Sequence, residues 1–169
     1  MTSRLLDSPV ISRIRRNHAL EHATIHILSR RFVNTTLVGR SDVGGFYLFG
    51  DVPGAAVAEA AGEALRRLRA GEHRLSIHPN CGTNLLTAGV LGAGAAFTAL
   101  YGSRGARQRL GRLPLAVLLG AAAMAVAQPL GTALQRTVTT QADPQGLRIH
   151  EVRTWRRGRT TLHRVVTAG

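Results

Sequence analysis

The chain has 169 residues, enough for one domain of ordinary size with a sizeable core. Its 22 basic residues, all arginine, stand against 9 acidic ones, and the net charge of +13 suits anionic lipid, nucleic acid or a positive-inside membrane protein. Aromatic residues make up only 4%, too few and too scattered for the base-stacking platforms of a nucleic-acid binder, and the single cysteine excludes an internal disulfide framework.

In chain order, Arg4, Arg13, Arg15 and Arg16 interrupt every apolar run near the start, so no signal peptide is expected there. A helix is expected over 11–31. A β-hairpin is expected over 35–50, with strands Thr35–Arg40 and Phe46–Gly50 around Gly44-Gly45. Pro53 opens a helix over 54–69, in which Val57, Ala60, Ala61, Ala64, Leu65 and Leu68 form one apolar stripe. Glu59 and Glu63 fall on the opposite, solvated face, with Arg67 one turn beyond Glu63. The alternation over 74–78 reads as a strand, which closes an N-terminal α+β part spanning 1–80.

No formally charged residue occurs between Arg74 and Arg104, or between Arg112 and Arg136. Both gaps exceed the roughly 20 residues that cross a bilayer. Residues 81–135 are therefore expected to form a transmembrane helical hairpin, with spans Cys81–Tyr101 and Leu113–Gln135 and with Pro114 in the first turn of the second. Ala88, Gly92 and Ala96 on the first span, and Ala116 and Gly120 on the second, have the spacing that lets helices approach closely in lipid. Residues 136–169 are expected to return as a β-hairpin joining the soluble domain, with strands Leu147–Trp155 and Thr160–Thr167 around Gly158.

The expected fold class is thus an α+β membrane protein, a small mixed α/β soluble domain interrupted by a two-helix transmembrane hairpin. Its first partner is the lipid bilayer; no nucleic acid is expected. Arg66, Arg67, Arg69 and Arg74 before the hairpin, with Arg136, Arg148 and Arg153 after it, outnumber the four arginines of the Ser103–Arg112 linker. That asymmetry places the soluble domain in the cytoplasm, at a bacterial plasma membrane. The Arg153–Arg159 run reads either as a headgroup contact or as the solvated rim of a turn.

The residues that can carry chemistry begin with His18-Ala19-Leu20-Glu21-His22, followed by His26. His18 and His22 lie one turn apart, so both imidazoles can reach one ion, and Glu21 beside them can polarise a metal-bound water. The order is the H-x-x-E-H of inverted zinc peptidases. His26, His78 or Cys81 would complete the ligand set, with zinc the expected metal and Glu21 the general base of a hydrolase or peptidase. Those peptidases also need a glutamate ligand from a later helix. Only Glu59 and Glu63 stand at helical positions, on the solvated face. The alternative is a non-catalytic, membrane-anchored scaffold, whose histidines and Asn80-Cys81-Gly82-Thr83 loop are structural and which binds a membrane protein or a peptide. In that loop Thr83 or Asn84 is the expected helix cap. His73, His150 and His163 stand alone and receive no role.

Taken together, Arg16-Asn17-His18-Ala19-Leu20-Glu21-His22-Ala23-Thr24, Gly44-Gly45-Phe46, Gly50-Asp51-Val52-Pro53, Ala70-Gly71-Glu72-His73, His78-Pro79-Asn80-Cys81-Gly82-Thr83-Asn84 and Gln128-Pro129-Leu130-Gly131 carry a wider resemblance. Over about residues 12–167 the chain resembles a bacterial membrane-protein family, domain-of-unknown-function family 6391. The resemblance implies a membrane location and no activity.

Overall fold

The computed structural model describes residues 5–158 and 160–169; Arg4, and Arg159 of the basic run, lie outside the described residues. The chain forms two compact units, Met1–His78 with Arg136–Gly169, and Pro79–Gln135.

In the first unit, α1 (Pro9–Arg31) starts where Ser8 accepts the Ile11 amide at 3.4 Å, with Pro9 at the first helical position. The Ser-Pro pair places the start two residues ahead of the expected one. Arg30 and Arg31 in its last turn suit the negative end of the helix dipole. Then come β1 (Val38–Asp42), β2 (Gly45–Phe49), α2 (Gly54–Arg69), β3 (Arg148–Arg157) and β4 (Thr160–Ala168). The strands form one antiparallel sheet in the order β1-β2-β4-β3.

Phe46, Leu48 and Val165 alternate along the buried face of that sheet, packed with Leu20, Ala23, Ile27 and Leu28 of α1 and the apolar stripe of α2. On the other face the Arg164 guanidinium lies 4.3 Å from the centre of the Tyr47 ring and holds Asp42 at 2.8 and 2.9 Å. Glu59 and Glu63 occupy the polar side of α2. Glu63 pairs with Arg67 at 3.3 Å and with Arg31 at 2.7 Å.

Three local expectations are corrected. Residues 74–78 are not a strand: His73–Ser76 is a 3-10 turn, closed by the Ser76 hydroxyl donating to the His73 carbonyl at 2.7 Å. Burial of Leu75 and half-burial of Ile77 imitate a strand pattern, but the carbonyls of Ser76 and Ile77 face histidine rings rather than a strand partner. The first strand begins at Val38 rather than Thr35, and Gly45 lies inside β2, so Val43-Gly44 makes the turn. Asp42 stabilises that turn by accepting the Gly44 amide at 2.8 Å.

His163, given no role by its isolation in the sequence, is fully buried on β4. Its ring lies 2.9 Å from the Thr154 hydroxyl and 3.3 Å from the Gly50 carbonyl. Burial lowers its pKa, against the opposing pull of Gly50. A depressed histidine adds stability that is complete above its unfolded value near 6.5 and is lost as pH falls towards the folded one. Thermal melts at pH 7, 6 and 5 should therefore show a falling midpoint in the wild type and a smaller fall in His163→Leu. Equal slopes would remove His163 as the source.

The second unit pairs α3 (Gly82–Leu100) with α4 (Ala106–Leu134), and the helix continues into a π-turn over Gln135–Thr139. The helix after the linker starts at Ala106, not Leu113, so Pro114 lies in the helix interior instead of its first turn. Cys81, rather than Thr83 or Asn84, caps α3, its sulfur accepting the Thr83 amide at 3.4 Å.

Both helices are long and apolar enough to cross a membrane, with only 11% of each apolar window buried. Ala116, Ala127 and Gly131 are buried, whereas Leu85, Val90, Phe97, Val117 and Leu118 point outward; the expected close approach at Gly92 and Gly120 is not formed, since an added Cβ at either would meet nothing within 4 Å. Large apolar side chains on the outside are the reverse of a water-soluble helix pair. At Gly131 an added Cβ would come within 3.0 Å of the Asn84 backbone. Asn84 in turn donates to the Pro79 carbonyl at 2.7 Å and accepts from Gln135 at 2.8 Å.

Candidate metal centre

Three histidines line one side of α1, and His78 follows the 3-10 turn. The ring centres of His18 and His22 are 4.3 Å apart, those of His22 and His78 5.8 Å, and those of His26 and His78 4.8 Å. Two imidazoles on one zinc ion, each at about 2.0–2.1 Å, have centres roughly 5 Å apart. The first two separations bracket that value. His18 and His22 each offer a ring nitrogen within 4.8 Å of the other.

The backbone sets the tautomers. His18 Nδ1 lies 2.9 Å from the Thr139 carbonyl, and His22 Nδ1 lies 2.7 Å from the Ser76 carbonyl. A carbonyl only accepts, so both Nδ1 atoms carry the proton and the lone pair is on Nε2. Pinning one ring nitrogen to a carbonyl is how metal-binding histidines are oriented. His22 Nε2 is buried and has no hydrogen-bond partner among the described residues.

His26 is used differently: its Nε2 lies 2.7 Å from the Ile77 carbonyl and must donate, which leaves only Nδ1 with a lone pair. It packs against His78 and ties α1 to the 3-10 turn. The His78 ring is pushed down to a pKa of about 4, first by burial and then by the neighbouring His26 and His22. It is therefore neutral at pH 7, as a metal ligand must be. Cys81 belongs to the second unit and follows His78 by three residues, a span of at most about 11 Å of extended chain.

Glu21 is 4% exposed and turns towards β1, where Ser41 donates to it at 2.7 Å. Gly39 makes room for it: a Cβ there would lie 2.1 Å from Oε1. Burial raises the Glu21 pKa, with the Ser41 hydrogen bond and the nearby His18 opposing. Asn17, fully buried beside these residues, donates to the Asp42 carbonyl at 2.8 Å and accepts from Thr167 at 2.8 Å. The histidines and Glu21 stand out in the sequence as candidates, whereas Ser41, Asn17 and the three carbonyl anchors do not. A carbonyl is common to every residue and leaves no mark in a sequence. Gly39 was the one available signal, a glycine inside a predicted strand.

Residues 13–152 match the family described as "Domain of unknown function (DUF6391)". An uncharacterised protein from Picosynechococcus sp. is 39% identical over 158 residues, covering 82% of this chain and 71% of its own. No solved structure matches.

Proposed function

This chain belongs to the DUF6391 family, a domain of unknown function, and within that family we propose a membrane-anchored protein whose histidine cluster holds a transition metal, zinc by preference. The observation that carries the reading is the His22 ring, with Nδ1 fixed to a carbonyl and Nε2 buried without a partner. A buried acceptor left unpaired costs about 1–3 kcal/mol, which coordination would offset. His18 and His22 supply the first two donors. His78, in the same unit, supplies a third, neutral imidazole. Imidazole donors favour zinc over magnesium or calcium.

The outward apolar faces of α3 and α4 support insertion in a bilayer. The arginine asymmetry supports a cytoplasmic soluble unit at a bacterial plasma membrane. Metal analysis of protein purified in detergent should give about one zinc per chain, falling below about 0.1 in a His18→Ala/His22→Ala double variant. Equal metal in the two proteins, or none in the wild type, refutes the reading.

Hydrolysis is the second reading, favoured by a buried carboxyl beside His18 whose pKa is raised, as a general base requires. On it, Glu21→Gln keeps the metal but lowers hydrolysis of a peptide substrate by more than about 100-fold. A metal-loaded wild type without such activity leaves the site structural, consistent with the scaffold role and a membrane-protein or peptide partner.

A further inference from the structure

A cavity of about 500 Å³ opens on the first unit between the 3-10 turn and the segment after α4. His73, Arg74 and Ile77 form one wall, and Arg136, Thr140 and Ala142 the other. The two arginines come from segments 62 residues apart in the chain. Neither forms an ion pair with any described residue. Glu72, the acid that feels Arg74, is already held by Arg67 at 2.6 and 2.9 Å. A third guanidinium stands close by, since Arg15 donates to the Thr137 and Thr140 carbonyls at 3.1 Å. Cations converging on a concave, part-apolar site without an acidic partner fit a phosphate group.

We propose that this cavity binds a phosphate group, that of an anionic phospholipid. Arg136 is the first charged residue after the apolar stretch beyond Arg112, and it belongs to the same helical run, Ala106–Thr139. A cation at the end of a spanning helix sits at headgroup depth, where anionic lipid phosphates are concentrated. Ile77 and Ala142 offer apolar contact to the first carbons beyond the phosphate. The inference stands apart from the metal reading, because none of the four histidines of the cluster lines the cavity.

The test uses the full chain in a neutral detergent and three probes: dioctanoyl phosphatidylglycerol, dioctanoyl phosphatidylcholine and inorganic phosphate, each against chloride at equal ionic strength. Native mass spectrometry and the thermal midpoint are the readouts. Phosphatidylglycerol should bind at least about tenfold more tightly than phosphatidylcholine, and Arg74→Gln/Arg136→Gln should weaken it by at least about tenfold. Arg40→Gln, on the far face of the sheet, should leave it unchanged. Inorganic phosphate binding as well as the lipid, with the same loss in the double variant, keeps the phosphate site but overturns the lipid as its source. No probe binding above chloride, or a double variant that binds like the wild type while melting normally, overturns the proposal.

Discussion

Gly45→Ala should unfold the first unit or bring it close to unfolding. Gly45 has φ +137°, a conformation that side chains rarely tolerate, and an added Cβ would lie 2.0 Å from the Val165 carbonyl oxygen. The obstacle is backbone, so no rotamer change can relieve it. Relief requires β2 to part from β4, and that pairing places Phe46 opposite Val165 at the centre of the core. The expected cost is about 3–5 kcal/mol, a large share of the 5–15 kcal/mol that stabilises an ordinary domain. The thermal midpoint should fall by about 10 °C or more. Gly44→Ala, whose new Cβ would meet the far end of the Arg164 side chain at 2.9 Å and Asp42 Oδ1 at an ordinary 3.5 Å, should cost far less. A similar melt for both variants would show that the close approach of β2 to β4 does not limit stability.

Gly39→Ala should act on the histidine cluster through Glu21. The new Cβ would overlap Oε1, Cδ and Cγ of Glu21 at 2.1, 2.5 and 2.7 Å. A carboxyl can usually swing away, but this one is 4% exposed and bonded to Ser41, so moving it breaks a buried hydrogen bond and repacks α1 on β1. A loss of about 2–3 kcal/mol is expected. Glu21→Ala alone should cost a similar amount, through the emptied space and the lost Ser41 contact. The double variant Gly39→Ala/Glu21→Ala should cost at least about 1 kcal/mol less than the sum, because the methyl then occupies vacated space. Strict additivity would mean that the two residues do not meet. In the single variant zinc content should drop as well, because Glu21 and the two pinned histidines lie within five residues of one helix.

Much of the architecture was legible because it depends on local pattern. The apolar stripe of α2, with Glu63 paired to Arg67 on its other side, follows from 3.6-residue periodicity. The two long apolar helices follow from uncharged runs, but their close approach falls at Gly131 against Asn84 rather than at the expected Gly92 and Gly120. The alternation of β4 is read in the same way. Such signals need no knowledge of what lies across the fold.

The failures have a common cause. Residues 74–78 alternate like a strand, yet they turn, because their carbonyls are taken by His22 and His26 more than fifty residues earlier. Isolated His163 is a core residue because β4 lies between β2 and β3, an order no spacing announces.

The sequence alone determined the apolar helices, the polar and apolar sides of α2, and the one-turn spacing of His18 and His22, since each is a property of neighbouring residues on one element. Only the tertiary structure decided which nitrogen of each α1 histidine keeps its lone pair, how close the His78 ring lies to His22 and His26, and that Glu21 leans on Ser41 over Gly39. The physical reason is that proton position and side-chain direction are set by partners distant in the chain, chiefly backbone carbonyls, which every residue type supplies alike.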